Sequence, residues 1–283
     1  MKKGWLIGGA AVLAVAGTFA VRELNGKAAE ETKVTTIKVA HTQSYVPYDF
    51  INEEGESDGY EVQVLKAVDK KLANYKLDFT GTSDEDLLIG LESGKFDVGI
   101  KGAWYTEERA QKFLIPEEPV GASIIGFTIR KEDAEKYQSI DDLAKDKGKL
   151  VPISPQNAQY NVITEYNDAH PDQAIDLKPA ESFAVADAYA WVLEGRYDAF
   201  FDIKLSFETA VTEKDGSYHQ YADKLSWFAY KGIPTYPLIH KNDGNKEFAQ
   251  AYDKAIKDLE ADGTLAKLSQ KYFGENVFDF VDD

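Results

Sequence analysis

The side chain best suited to hold a charged ligand is Arg109. It follows Tyr105-Thr106-Glu107-Glu108, a pattern typical of a helix start, just beyond a predicted strand that ends near Gly102. Free N–H groups at a helix start attract anions, and a guanidinium can hold a carboxylate through two parallel hydrogen bonds. The spacing therefore predicts a carboxylate site, although a surface ion pair of Arg109 with Glu107 or Glu108 explains it equally well.

A second helix start of the same kind is predicted at Ser154-Pro155-Gln156-Asn157. Its N-terminal N–H groups suit an anion as well. Two such sites that face one another would form a cleft between two halves of the chain.

Other kinds of chemistry have little support in the residue pattern. The four histidines lack metal-ligand spacing, and neither a nucleophile elbow nor a phosphate-binding loop is present. Asp97 and Asp198 could be imagined as an acid–base pair, but each stands at a strand entry, opposite the end where ligands bind. We interpret both as solvated carboxylates, and we predict no catalysis, no cofactor and no metal site.

The two aspartates belong to a short repeat. Gly94-Lys95-Phe96-Asp97-Val98 matches Gly195-Arg196-Tyr197-Asp198-Ala199, and an apolar helical run precedes each copy. A glycine at the end of a helix adopts the left-handed conformation that other residues resist, and a buried strand follows. The repeat predicts two similar α/β domains, with ligands at the strand ends.

The order of apolar runs gives the domain boundaries. Residues 35–115 are predicted as β-α-β-α-β, and the apolar run 121–129 is predicted to carry the chain into a second domain. Two later apolar runs, 225–230 and 233–239, would carry it back, with hinges near 119–128 and 225–236. The predicted first domain is therefore discontinuous (34–122 and 232–283), and the second covers 123–231.

Some local elements can also be predicted. In the second domain we expect a strand at Lys149–Ser154 and helices that begin after Ser139 and after Pro155. We expect Thr264 to cap the last helix and Gly274 to end it.

Composition limits the partners. The 283 residues suit two domains, and 43% hydrophobic residues suffice for two cores. A formal charge of −17 opposes binding to nucleic acids and anionic lipid surfaces, and the lack of cysteine excludes disulfides and thiolate metal sites.

Residues 1–21 have a basic start and an apolar middle, so they predict a signal peptide or a retained membrane anchor, followed by a polar tether over 22–33. The protein is expected outside the cytoplasm, periplasmic or anchored on the outer face of the cytoplasmic membrane.

Several motifs, taken together and in order, resemble a known family. They are Tyr45-x-Pro47-Tyr48, Gly59-Tyr60-Glu61-Val62, Leu91-x-Ser93-Gly94-Lys95-Phe96-Asp97, Thr106-Glu107-Glu108-Arg109, Gly195-Arg196-Tyr197-Asp198-Ala199, and the closing run from Ala255 to Gly274. Over 34–274 the chain resembles the extracytoplasmic solute-binding proteins of amino-acid ABC importers, family 3, which have the type II periplasmic-binding fold.

The resemblance implies a binding site between two α/β domains joined by a two-strand hinge. An amino acid's α-carboxylate would be held by Arg109 and by N–H groups near Asn157. Gly102 would offer a carbonyl to the amine, and Tyr45 would line the pocket. The resemblance also implies a membrane permease as partner, a monomer, and no enzymatic activity.

The chain departs from the family pattern at three pocket positions. Asp84 replaces a common aromatic residue, Trp104 replaces a small hydroxyl, and Ile203 replaces the acid that takes the ligand's amine. A buried ammonium needs a carboxylate partner. Either Asp84 or the neighbouring Asp202 supplies it, or the ligand is not a simple α-amino acid; cystine and short peptides are candidates.

Two other classes of function remain open. The first is a dehydratase-like enzyme on the same fold, for which His41 and Asp84 would be the acid–base pair. The second is a surface adhesin or sensor, which would need an exposed apolar patch or a second membrane segment.

Overall fold

The computed structural model describes residues 34–155, 157–180 and 185–281, so the predicted export segment and tether lie outside the described residues. The strands are β1 (Thr35–Thr42), β2 (Ser44–Tyr45), β3 (Asp49–Ile51), β4 (Ser57–Asp58), β5 (Tyr75–Thr82), β6 (Val98–Ile100), β7 (Gly121–Arg130), β8 (Ala199–Ile203), β9 (Leu225–Thr235) and β10 (Leu238–Ile239). The helices are α1 (Tyr60–Lys71), α2 (Asp84–Glu92), α3 (Glu107–Lys112), α4 (Ile140–Lys145), α5 (Ala158–Ala169), α6 (Val185–Leu193), α7 (Lys204–Phe207), α8 (Asp243–Ala261) and α9 (Thr264–Phe273). None of these helices has both the length and the apolar composition needed to cross a membrane.

The first lobe is built on a four-stranded sheet in the order β10-β6-β1-β5. Strand β1 pairs in parallel with β5 and β6, and β10 runs antiparallel to β6. Helices α1, α8 and α9 cover it and bury a core that includes Val39, Leu65, Phe248 and Tyr252. The predicted β-α-β-α-β order of residues 35–115 holds for β1, α1, β5, α2 and β6, but the prediction missed the small antiparallel sheet β2-β3-β4 between β1 and α1, and helix α3 after β6.

The second lobe is built on a three-stranded antiparallel sheet in the order β8-β7-β9. Its core joins Phe127 and Phe201 of the sheet to Ile163 of α5. The predicted strand Lys149–Ser154 was wrong, because only isolated parallel bridges form there, at Leu150 and Ile153. Pro152 lies between them, and a proline cannot donate to a strand ladder.

The short repeat recurs as one hydrogen-bonding pattern. Both of its glycines are left-handed, at φ of 74° and 70°. The Asp97 carboxylate accepts the Lys38 N–H at 2.9 Å, and the Asp198 carboxylate accepts the Lys149 N–H at 2.8 Å. Both aspartates are partly exposed at strand entries, as interpreted, and each also ties its strand entry to the adjacent chain segment.

Two long strands link the lobes. Strands β7 and β9 pair from Gly121–Thr235 to Arg130–Leu225, with a register shift beside Gly126. Beyond β9 the chain returns to the first sheet through β10. The chain from Val34 onward packs as one compact unit, and the predicted domain boundaries and hinges stay predictions.

Serine side chains cap two of the helices, whereas the cap predicted for the last helix does not form. Ser83 and Ser139 cap α2 and α4 by accepting backbone N–H groups. At α9 the N-cap is Gly263, with φ of 75°, so the prediction that Thr264 fills this position was wrong. The left-handed glycine needs no side chain to turn the chain, and Gly274 ends the helix as predicted.

Candidate functional site

A cavity of about 540 Å³ opens where three strands of the first sheet end. Strands β1, β5 and β6 are parallel, so their carboxyl ends meet at one edge, where open α/β sheets bind ligands. Two of the predicted ligand-binding residues, Tyr45 and Asp84, lie in the same wall. The lining residues are Thr42, Gln43, Ser44, Tyr45, Thr82, Ser83, Asp84 and Lys101.

Asp84 and Lys101 form an ion pair in this wall. Asp84 is the first residue of α2, and Lys101 directly follows β6. The Asp84 side chain is 54% exposed and that of Lys101 is 17% exposed. Lys101 was absent from the predicted ligand-binding set, although its place at the end of a central strand was a signal that could have identified it.

Arg109 lies in the first turn of α3. The Thr106 hydroxyl caps the helix by accepting the Arg109 N–H at 3.2 Å, and Nη1 of Arg109 donates to the Trp104 carbonyl at 2.6 Å. Burial lowers the pKa of Arg109, and the charges of Asp84 and Glu108 oppose this effect. The guanidinium is therefore half-buried and held by a neutral oxygen.

The acids beside Arg109 have other partners. Glu108 pairs with Lys112 at 3.1 Å, and Glu107 accepts the Tyr105 hydroxyl at 3.1 Å. Within the described part of the chain, Arg109 forms no ion pair at salt-bridge distance. The alternative of a surface pair with Glu107 or Glu108 is thus not the arrangement observed.

Gly102 is held between two other side chains. Its φ is 62°, and its N–H donates to Oε2 of Glu61 at 3.0 Å. The other oxygen of Glu61 accepts the Thr235 hydroxyl at 2.8 Å. A Cβ atom on Gly102 would lie 2.7 Å from Cε1 of Tyr45, which stacks on Tyr48 with ring centroids 4.8 Å apart. Glu61 was quoted in a family motif but was not predicted to support the site.

Glu61 is fully buried and interacts with a second buried acid, Asp49. Loss of hydration raises the pKa of Glu61 to about 7, although the hydrogen bonds from Gly102 and Thr235 act to lower it. Loss of hydration and the charge of Glu61 raise the pKa of Asp49 to about 8, although Asp49 accepts the Thr42 N–H at 2.7 Å. Burial therefore favours the protonated, uncharged form of both acids.

Trp104 connects the two lobes. Its side chain is 9% exposed and packs in the core of the second lobe, with Ile125 and Phe127. Its backbone forms an antiparallel bridge with Thr235 at the end of β9. The ring thus lies in a core, while its carbonyl contacts Arg109, and ligand contact by Trp104 stays a prediction.

Asp202 is placed on the second lobe at the end of β8. Its Oδ1 accepts the Ile203 N–H at 2.8 Å and the Gln159 amide at 3.4 Å. Burial raises the pKa of Asp202, and the charge of Asp202 contributes to the raised pKa of Tyr45. Ile203 packs toward the second-lobe core, so the two neighbours face opposite sides, as expected from a regular strand.

Asn157 is exposed at the start of α5, and its side chain makes no capping bond. Its own N–H donates to the Ser154 carbonyl at 2.9 Å. Its neighbour Gln156 lies outside the described residues. The role of Asn157 toward a carboxylate therefore stays a prediction.

His41 is buried behind the site and has two partners. Nδ1 lies 2.6 Å from the Thr42 carbonyl, so it must donate, and Nε2 lies 2.7 Å from the Ser57 hydroxyl. Burial lowers the pKa of His41. In the described ranges, no group of three or more histidines and acids is arranged to hold a metal ion.

The chain matches the family model of the bacterial extracellular solute-binding proteins, family 3, over residues 37–275. It is 31% identical to the L-cystine-binding protein TcyJ of Bacillus subtilis, over 86% of each chain. It is 29% identical to the probable amino-acid-binding protein YxeM of the same organism, over 98% of this chain and 97% of YxeM.

Two solved structures show the same fold. One is the probable amino-acid ABC transporter extracellular-binding protein ytmK of Bacillus subtilis, with a TM-score of 0.65, 24% identity and coverage of 86% of this chain and 99% of that one. The other is the L-cystine solute receptor of Neisseria gonorrhoeae, with a TM-score of 0.60, 23% identity and coverage of 87% and 95%. The predicted α/β fold of the type II periplasmic-binding class is confirmed. By its sequence match over most of its length, this chain belongs to the bacterial extracellular solute-binding proteins, family 3.

Proposed function

We propose that this protein is the exported binding component of an ABC importer and that it binds a polar amino acid or an amino-acid derivative between its lobes. The observation that carries the proposal is the half-buried Arg109 guanidinium, which uses one of its donors on a carbonyl and forms no ion pair within the described residues. A guanidinium has five N–H donors, so it can still hold a carboxylate bidentately.

Asp202 supplies the opposite charge. It is a half-buried carboxylate without a cationic partner at salt-bridge distance in the described chain, and it lies near enough to Tyr45 to act on that hydroxyl. An ammonium group would relieve its burial cost. A cation on one lobe and an anion on the other complement an α-amino acid in its zwitterionic form.

The relatives support the class of ligand. TcyJ is named for L-cystine and YxeM for amino acids, so cystine is the first candidate, and a short peptide is the second. We further propose that the protein works as a monomer, outside the cytoplasm, and delivers its ligand to a membrane permease.

An enzymatic role is less well supported. An ancestral amino-acid-binding protein described as a precursor of cyclohexadienyl dehydratase has a TM-score of 0.53 and 23% identity, which reflects the fold alone. The acid–base pair that such a role would require is His41 with Asp84. His41 instead contacts Thr42 and Ser57, and Asp84 contacts Lys101.

The test is a thermal-shift screen of the full-length protein, unfolded and refolded to remove any retained ligand. A ligand at one hundred times its Kd should stabilise the fold by about 2.7 kcal/mol. Arg109→Ala should abolish the shift, whereas Arg196→Ala, an exposed arginine of the second lobe, should keep it. No shift with any amino acid, cystine or short peptide, or equal effects of both variants, would overturn the proposal.

A further inference from the structure

The Lys101–Asp84 ion pair lies in the wall of the cavity at the strand ends of the first sheet. The cavity that contains the pair is lined by the first lobe, and its lining residues do not include Arg109. Its volume of about 540 Å³ falls within the usual range of small-molecule pockets. The cavity therefore has room for one end of a ligand whose other end is held outside it.

Tyr45 is the link between the two compartments. It lines the cavity beside Lys101 and Asp84, and the charge of Asp202 on the second lobe helps to raise the pKa of its hydroxyl. Asp84 in turn acts electrostatically on Arg109. A ligand with one end between Arg109 and Asp202 would thus pass Tyr45 and present its other end to the ion pair.

We propose that Lys101 and Asp84 form a second subsite for a zwitterionic group at the far end of the ligand. The protein would then take a molecule with two amino-acid ends joined by a chain, as in L-cystine. This inference rests on the proposed function. A neighbouring cation and anion complement a carboxylate and an ammonium. A purely anionic tail would be repelled by Asp84, and a purely cationic tail would be repelled by Lys101.

The pair has capacity left for a ligand. A lysine ammonium carries three N–H donors, and Asp84 is half-exposed. A half-exposed ion pair contributes little to the stability of a fold. When a cleft closes over such a pair, a ligand of complementary charges offsets the loss of hydration that both side chains undergo.

Calorimetry with two probes on the full-length refolded protein tests this subsite. L-cystine carries both amino-acid ends, and S-methyl-L-cysteine carries one. The measured quantity is the ratio of the two dissociation constants, for the unaltered protein, Lys101→Met, Asp84→Asn and Lys112→Met. Lys112 pairs with Glu108 on the surface of α3, so it is a matched lysine outside the cavity.

We expect cystine to bind at least about tenfold more tightly than S-methyl-L-cysteine, a preference that both cavity variants lose and Lys112→Met retains. Equal affinities in the unaltered protein, or a preference that survives in both cavity variants, would overturn the subsite. In that case the proposed function still stands if Arg109→Ala abolishes binding of both probes. If neither probe binds, the subsite is overturned, and the thermal-shift screen of other amino acids and peptides decides the proposed function separately. A third probe, S-carboxymethyl-L-cysteine, carries a carboxylate without an ammonium at its far end. If it binds as tightly as cystine, the cavity holds an anion, and the zwitterion subsite is overturned.

Discussion

The Gly102 amide donates to a carboxylate oxygen of the fully buried Glu61 at 3.0 Å, which joins the loop beside the proposed ligand site to the helix behind it. The same carboxylate accepts the hydroxyl of Thr235, where β9 ends, at 2.8 Å. Glu61 therefore couples the ligand-side loop to the strand that returns the chain from the second lobe.

Gly102→Ala should weaken ligand binding and lower the free energy of unfolding by about 1–2 kcal/mol or more. A left-handed φ costs about that much for a residue with a Cβ atom, and this Cβ would also displace Tyr45. Urea unfolding and calorimetry with L-cystine measure the two effects. Gly55→Ala is the matched control, because Gly55 has φ of 80° with nothing within 4 Å of a new Cβ. Equal effects of the two variants on binding would contradict a role for the Gly102–Tyr45 contact.

Glu61→Gln should change how stability depends on pH. Burial raises the folded-state pKa of Glu61 from 4.5 to about 7, so between these values the unfolded chain releases a proton that the folded protein keeps. The free energy of unfolding of the unaltered protein should therefore fall as the pH rises through this range, by roughly 3 kcal/mol, since each pKa unit corresponds to about 1.4 kcal/mol.

Urea unfolding at several pH values measures this dependence. The fall in the free energy of unfolding with rising pH should be smaller in Glu61→Gln and unchanged in Glu54→Gln, whose side chain is exposed. Asp49 remains ionisable in the variant, so part of the slope should persist. Identical slopes for Glu61→Gln and the unaltered protein would mean that Glu61 does not hold the proton.

Arg130→Ala should destabilise the second lobe by roughly 2 kcal/mol or more, because it leaves two acids and two carbonyls without their partner. Arg130 pairs with Asp133 at 2.7 Å and Asp198 at 3.0 Å, and it donates to the carbonyls of Val192 and Tyr197. Arg196→Ala removes an exposed guanidinium that stacks on aromatic rings and should cost far less. Chemical denaturation that ranks the two variants in the reverse order would contradict this account of Arg130.

Ligand binding should bring the lobes together about β7 and β9. A ligand drives closure only by binding the closed form better than the open one, and each lobe offers one charge of the proposed pair. Small-angle scattering of the unaltered protein should give a smaller radius of gyration with saturating L-cystine, and Arg109→Ala should show no change. An unchanged radius, with binding confirmed by calorimetry, would rule out closure of the lobes.

The sequence predicted the fold where local signals agreed with the packing. Apolar runs at strand and helix spacing and the helix-ending glycine Gly94 identified the first lobe, because each of these signals acts within a few residues. The prediction of a strand at Lys149–Ser154 was wrong because Pro152 interrupts the hydrogen bonds to the neighbouring chain segments. Only isolated bridges at Leu150 and Ile153 remain.

The site was harder to predict because its contacts join distant residues. Gly102 and Glu61 are 41 residues apart, and the Asp84–Lys101 pair forms only when a helix start and a strand end meet. Trp104 shows the same limit, since its ring lies in a core that the other lobe supplies.

The most direct test of the central claim is a crystal structure of the protein with L-cystine. We predict one α-carboxylate at about 2.7–2.9 Å from the Arg109 guanidinium, with the adjacent ammonium at Asp202. A ligand bound between the lobes with no contact to Arg109, or bound elsewhere on the surface, would contradict the account.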